Sequence, residues 1–179
     1  MKMITLRETI FLALLIAMEI VLSRFLSIQT PTLKISFAFL PIAFAGMLFG
    51  PIWAGIAGAL ADFLGALLFP IGAFFPGFTL TAFLIGFTYG IFLYKKELAG
   101  SLGLIRIFCA AVFVTVLIQL GIETLWVAII TVGNPESGYD VIGQAYKAWF
   151  LTRAVRTAIM LPIQVVLIRL LPLVTKNIT

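Results

Sequence analysis

FLPIAFAGMLFGPIWAGIAGALADFLGALLFPIGAFFPGFTLTAFLIGFTYGIFLY, from Phe39 to Tyr94, is apolar almost throughout and carries one formal charge, Asp62. A bilayer crossing needs ~20 residues, so a run of this length must fold back on itself. Breakers at Gly50-Pro51 and from Pro70 to Pro76-Gly77 mark the reversals and divide it into three spans. The middle span is rich in small residues: Ala54, Gly55, Ala57, Gly58, Ala59, Ala61, Gly65 and Ala66. At helical spacing Gly55, Gly58, Asp62 and Gly65 share a face, where missing side chains admit a neighbouring backbone close to the carboxylate. Two readings of Asp62 follow. Either it pairs with a structural partner inside a glycine packing seam, or it lines a polar ligand pocket, since an acid within a membrane is costly and usually functional.

Composition sets the class. With 63% hydrophobic and 11% charged residues over 179 positions, an ordinary soluble domain is excluded and a polytopic membrane protein remains. We expect an all-α fold, one integral membrane domain over residues 1–179 with six transmembrane helices. Histidine is absent and Cys109 is the only cysteine, which rules out an intrachain disulfide, a zinc cluster and a Cys/His catalytic pair. Cys109 reads as a small packing residue. The net charge of +5 is dispersed among hydrophobic spans without a basic run, a pattern of membrane orientation rather than nucleic-acid binding. Lys2 and Arg7 ahead of an apolar segment imitate a signal peptide, but Glu19, Arg24 and the lack of a small-residue cleavage site favour a retained first helix.

The spans are expected at about 8–25, 37–50, 52–69, 78–94, 105–132 and 145–174. On the first, Thr9, Ala13 and Ala17 stand four apart and form a stripe on which another helix can dock, in a partner or within this chain. Leu12, Ile16, Glu19 and Ser23 lie roughly opposite, so Glu19 faces the bundle if the stripe faces outward. SIQTPTLK, Ser27 to Lys34, reads as an exposed loop, and GNPESGYD, Gly133 to Asp140, as a turn-rich one. On the fifth span Gln119, Glu123 and Trp126 share a face. An even number of spans puts both termini on one side. Lys2, Arg7, Lys95, Lys96, Arg106, Arg169 and Lys176 fall on that side, which makes it cytoplasmic.

The cations left over are the informative ones: Arg24, Lys34 and Lys147 near the other surface, with Arg153 and Arg156 in the outer half of the last span. A cation near the bilayer centre costs about 2.5–3.5 kcal/mol even on a lenient scale, so this pair requires carboxylates, a ligand or water. Glu19, Asp62 and Glu123 stand at similar depth on other helices. These groups form either a closed set of interhelical ion pairs or a pocket open to the outside. Such a pocket would have cations at its mouth, a carboxylate deeper in, and Phe74, Phe75, Phe78 and Trp126 as flat walls. It suits a ligand aromatic at one end and anionic at the other.

No Gly-Lys dipeptide occurs, so a phosphate-cradling loop of the Walker type is excluded. There is also no HExxH helix, no GxSxG elbow and no acid cluster of the kind metal-dependent lipid transferases use, which disfavours a membrane enzyme. The residues suggest no catalytic group, metal or cofactor. A channel would carry polar faces on several helices along its length, whereas here the polar groups gather in the outer half.

LSIQTPTLKISFAFLPIAFAGMLFGP from Leu26 to Pro51, continuing through GALADFLGALLFPIGAFFPGFTLTAFL and FTYGIFLY, resembles the folate-specific substrate-binding S components of bacterial energy-coupling-factor (ECF) type ABC transporters. The resemblance covers most of the chain. It includes the family's AxxxA stripe on the first helix, matched by Ala13 and Ala17. The sequence departs from the pattern where Glu123-Thr124-Leu125-Trp126 replaces the Asn-Thr-Leu-Trp of the family, an acid in place of an amide.

What the resemblance implies is a six-helix S component in the bacterial cell membrane that binds folate from outside. It would join a transmembrane coupling protein and two ATPase subunits, whose hydrolysis reorients the S component to carry the vitamin inward. Thr9, Ala13 and Ala17 would meet the coupling protein. On the chemistry of folate, Arg24, Lys34, Arg153 and Arg156 suit the glutamate tail, Asp62 and Glu123 the donor edge of the pterin, and Phe74, Phe75, Phe78 and Trp126 its flat faces. The alternatives are an S component for another aromatic vitamin or pterin, and a passive channel.

Overall fold

The computed structural model describes residues 5–29, 34–70, 74–95, 98, 100–133 and 139–175, with the side chains of all but Ile28, Gln29, Lys34, Tyr139 and residues 173–175. Six helical rods make up the described chain. The first, α1 (Leu6–Arg24), starts at a capping box in which the Glu8 amide donates to Thr5 Oγ1 and the Thr5 amide to Glu8 Oε2, satisfying two otherwise unpaired donors. A small antiparallel hairpin follows, β1 (Ile28–Gln29) and β2 (Lys34–Ile35), with Ile28 opposite Ile35. It stands at the two ends of the stretch expected to be a plain loop. Two residues per strand are too few to leave a periodic signal.

The helices α2 (Phe39–Phe49) and α3 (Pro51–Leu68) meet at Gly50-Pro51, as the breakers require. Gly50 takes φ 89°, open to glycine at little cost, and Pro51 is the first residue of the next helix, where its missing N–H costs nothing. Next comes α4 (Pro76–Leu93), again with proline in its first turn. Between α3 and α4 lies the tightest packing of the molecule. A Cβ at Gly58 would stand 2.5 Å from the Ala82 carbonyl oxygen, so glycine is what lets the two backbones touch.

The fifth rod is continuous over Gly100–Val132, 33 residues: α5 (Gly100–Val112), a π-helical stretch (Phe113–Ile122) and α6 (Glu123–Val132). The last is α7 (Tyr139–Thr175). These two rods begin at Gly100 and Tyr139, several residues before the positions at which the hydrophobic pattern sets in. Their first turns are amphipathic, so hydropathy alone places the starts late. A helix of 33 residues is ~50 Å long, beyond the ~30 Å of a hydrocarbon core, so its ends reach past the apolar layer.

The core is built from small residues and a few large ones, among them Ala43, Ala54, Ala57, Ala110, Tyr89, Leu93, Ile107 and Ile168, all fully buried. The outer surface is apolar instead of polar, with Leu6, Ile10, Leu14, Leu68, Leu102 and Leu151 exposed. By length and composition four helices can cross a membrane: Pro51–Leu68, Pro76–Leu93, Gly100–Val132 and Asp140–Pro172. The protein is an all-α, multi-pass membrane protein. Of the other rods, α1 includes the charged residues Arg7, Glu8, Glu19 and Arg24, and α2 has 11 residues. Lys2, Lys96 and Lys176 of the orienting charges lie outside the described residues.

Candidate functional site

A cavity of about 370 Å³ opens among the ends of α1 and α3, the starts of α2 and α4, the junction of the π-helical stretch with α6, and the middle of α7. Helical spacing sets its walls. On α3, Gly58, Asp62 and Ala66 stand four apart, and on α7 Arg153, Arg156, Met160 and Gln164 follow at intervals of three and four. The opposite wall of α4 presents Phe78, Ala82 and Ile85, and α1 contributes Glu19, Ser23 and Arg24. The Ser36 hydroxyl donates to the Leu22 carbonyl at 2.9 Å and accepts the Ala38 amide at 3.2 Å, fastening the hairpin's exit to α1 beside the cavity.

Two interhelical ion pairs border this space. Arg24 Nη2 lies 3.9 Å from Asp62 Oδ1, joining α1 to α3, and Arg153 Nη2 lies 3.7 Å from Glu123 Oε2, joining α7 to α6. Charge-assisted hydrogen bonds run at about 2.7–2.9 Å, so both pairs offset charge without closing on each other. The side chains keep part of their surface open, 12% for Arg24 and 26% for Asp62, and 17% for Arg153 and 18% for Glu123. The groups therefore line an accessible cavity and partly neutralise one another at the same time. Asp62 both pairs with Arg24 and faces the cavity.

Neighbouring helices aim these groups. Thr79 Oγ1 of α4 donates to Asp62 Oδ2 at 2.8 Å and fixes the carboxylate plane. Gly65 opens the path by which Arg24 crosses α3, since a Cβ there would lie 2.9 Å from Arg24 Nε. On the far side, Arg153 Nη1 donates to the Gln119 carbonyl at 3.3 Å and reaches Thr124 Oγ1 at 3.5 Å. That carbonyl belongs to the π-helical stretch, whose wider turn is seen where the Glu123 amide bonds Ile118 O, five residues back. Arg156 lines the cavity with its Nε buried and without a hydrogen-bond partner among the described residues.

Aromatic rings form part of the lining. Phe74, Phe75 and Phe78 line the cavity, Phe75 meeting Phe78 edge-on at 6.1 Å. Trp126, expected as a wall, stands one layer back, its ring 5.6 Å from that of Phe75 and its Nε1 buried without a partner among the described residues. Of the residues singled out from the sequence, Arg24, Asp62, Phe74, Phe75, Phe78, Glu123, Arg153 and Arg156 thus surround one space. The Lys34 side chain lies outside the described residues. Thr9, Ala13 and Ala17 are exposed on the opposite side of α1 from buried Leu12, Leu15 and Ser23. Glu19 and Gln119 also line the cavity, as do Ser23, Ser36, Met160 and Gln164. The first two were legible from the faces they share with Ser23 and Glu123, whereas Gln164 gives no signal in an apolar helix.

Apolar-faced helices around a charged, accessible cavity define a membrane-embedded ligand-binding protein. The family model described as the substrate-specific component of ECF transporters matches residues 7–172, and the chain belongs to that family. Among curated relatives, the chain is 45% identical over 159 residues to "Folate transporter FolT" of Clostridium novyi (strain NT), covering 89% of this chain and 84% of that one. It is 30% identical over 159 residues to "Folate transporter FolT" of Leuconostoc mesenteroides subsp. mesenteroides, covering 89% and 80%. Among solved structures it is similar to "Crystal structure of FolT bound with folic acid", with a TM-score of 0.78, 42% identity and 93% of each chain covered.

Proposed function

We propose that the protein captures folate at the outer face of a bacterial cell membrane and delivers it inward as one subunit of an ECF transporter. A transmembrane coupling protein and two ATPase subunits would supply the energy. The observation that carries this reading is the cavity itself, where three guanidinium groups, of Arg24, Arg153 and Arg156, share one space with Asp62, Glu123 and the Phe74, Phe75 and Phe78 rings. Folate has matching chemistry. Its glutamate tail presents two carboxylates for guanidinium forks, its pterin has a donor edge for a carboxylate, and its rings are flat. The relatives named for folate transport support the same ligand.

In this reading Arg24, Lys34, Arg153 and Arg156 hold the tail, Asp62 and Glu123 the pterin edge, and Phe74, Phe75 and Phe78 wall the rings with Trp126 behind them. All six rods cross the bilayer with both termini cytoplasmic, and the exposed Thr9, Ala13 and Ala17 stripe docks on the coupling protein. Titration of the purified protein with folic acid, followed by calorimetry and by quenching of tryptophan fluorescence, tests the ligand. Saturable binding displaced by reduced folates and not by riboflavin or thiamine is the expected result. Saturable binding of riboflavin or thiamine, with folic acid inert, would assign the cavity to another vitamin.

A further inference from the structure

At the inner end of the cavity the lining is apolar and narrow, formed by Ile42, Gly58, Ala82, Ile85 and Met160, with one polar side chain, Gln164, among the described residues there. Gln164 is 1% exposed. Behind it stands Tyr89, wholly buried, whose hydroxyl donates to Gln164 Oε1 at 3.1 Å across 75 residues of sequence. That is the only hydrogen bond of the Tyr89 hydroxyl among the described residues.

A buried hydroxyl proton without an acceptor is costly, which fixes the orientation of the amide. Were the amide turned over, its NH2 would donate to the Tyr89 oxygen and the hydroxyl proton would have nowhere to go. With Oε1 engaged from behind, the amide nitrogen has no partner among the described residues, yet it is not sealed off from accessible space. On the cavity wall that space is the cavity floor.

We infer that Gln164 is a specificity-determining donor that reads a ring carbonyl of the ligand, and that Tyr89 is the positioning residue that keeps the donor facing inward. The inference rests on the folate reading and deepens it. The charged groups of the lining stand on the mouth side of the floor, so an anionic tail stays with the arginines and the uncharged ring end reaches the bottom. A pterin carries its carbonyl oxygen beside the donor edge that a carboxylate grips. A fixed N–H donor on the same cavity wall as these carboxylates completes that pattern and rejects a ring bearing an amino group at the carbonyl's place, because two donors would then face each other.

The test is the ratio of affinities for folic acid and aminopterin, in which an amino group replaces the ring carbonyl, measured on purified full-length protein. The unsubstituted protein should prefer folic acid by about tenfold or more, the loss of one hydrogen bond with its donor left unsatisfied. Gln164→Leu, similar in volume, should lower this ratio by about tenfold, mainly by weakening folic acid, and leave only the preference that the carboxylates draw from the ring N–H that aminopterin also lacks. Tyr89→Phe removes only the hydroxyl, frees the amide to turn, and should lower the ratio part way. Equal affinities in the unsubstituted protein would overturn the inference. So would substitutions at Gln164 or Tyr89 that weaken both ligands equally and leave the ratio unchanged, the signature of a structural role. If the unsubstituted protein binds neither compound, the folate reading falls with it; folic acid binding with an unchanged ratio sinks only the role of Gln164.

Discussion

Asp62→Asn separates ligand recognition from architecture more cleanly than any other single change. The amide is isosteric, and Thr79 Oγ1, which donates to Asp62 Oδ2 at 2.8 Å, still finds a carbonyl oxygen there. What the fold loses is the Arg24 pair at 3.9 Å, a Coulomb term of roughly 1–4 kcal/mol for effective dielectrics of ~80 to ~20. Relief of the carboxylate's own desolvation offsets much of that, so stability should drop by no more than about 1 kcal/mol. The ligand loses more. A carboxylate accepts from both N–H groups of a pterin edge, whereas an amide keeps one acceptor and turns a donor toward the second N–H. The charged hydrogen bond lost is worth about 2–3 kcal/mol, or roughly 30- to 150-fold in Kd. Calorimetric titration with folic acid and thermal unfolding of the same detergent-solubilised sample give both numbers. An unchanged Kd beside a large fall in Tm would refute the reasoning and leave Asp62 as packing for Arg24.

Glycine substitutions should divide by what they meet. Gly58→Ala drives a methyl against the Ala82 backbone carbonyl at 2.5 Å and should destabilise by about 1–3 kcal/mol in thermal unfolding. Gly65→Ala meets only the end of Arg24 at 2.9 Å, which can swing aside, so stability should hold while folic acid binding weakens about tenfold through the displaced guanidinium. Arg153→Lys keeps the charge but loses the fork that reaches Gln119 O and Thr124 Oγ1, and titration should show folic acid binding weakened by about tenfold or more. Leu at both Ala13 and Ala17, which are exposed, should spare folic acid binding by the purified protein and abolish uptake by cells that carry the coupling protein and ATPases. Loss of both together would make the stripe internal packing.

How far the sequence discloses this molecule depends on the range of the interactions. Gly50-Pro51 announces a helix boundary because both residues act on their own backbone, and the boundary stands there. Gly55, Gly58 and Gly65 announce close approach, and each has a neighbour where its Cβ would be. Charges inside apolar spans announce a shared purpose, since none is tolerable alone, and Arg24, Asp62, Glu123, Arg153 and Arg156 meet around one cavity. The π-helical stretch at Phe113–Ile122 escapes such a reading because its residues, FVTVLIQLGI, suit an α-helix equally well. It changes the register of Gln119 against Glu123 and Trp126, which both stand on α6 beyond it, with Trp126 behind Phe75. The Tyr89 and Gln164 pair is hidden for a different reason, as neither residue is unusual in its own helix and only their packing across the bundle joins them.

The ion pairs at 3.7 and 3.9 Å explain how such a cavity can exist both empty and filled. Glu19, Asp62 and Glu123 face Arg24, Arg153 and Arg156 across the lining, three acids against three guanidinium groups. Without ligand Asp62 and Glu123 each have a guanidinium close enough to offset the cost of burial, though too distant to claim its hydrogen bonds. A ligand that brings carboxylates at one end and N–H donors at the other exchanges partners at both ends at once, and no buried charge is left alone during the exchange. A solute with only one of these ends would strip a partner from a group and also displace the cavity's water, leaving that group uncompensated and dry, unlike Arg24 in the open, unliganded cavity of Asp62→Asn, at about 3–5 kcal/mol. Discrimination against half-ligands therefore follows from the paired design. Para-aminobenzoylglutamate, the tail without the pterin, and pterin without the tail should each bind roughly 150- to 5,000-fold more weakly than folic acid in competition assays. Additive, individually tight binding of the two halves would show that the pairs do not constrain each other.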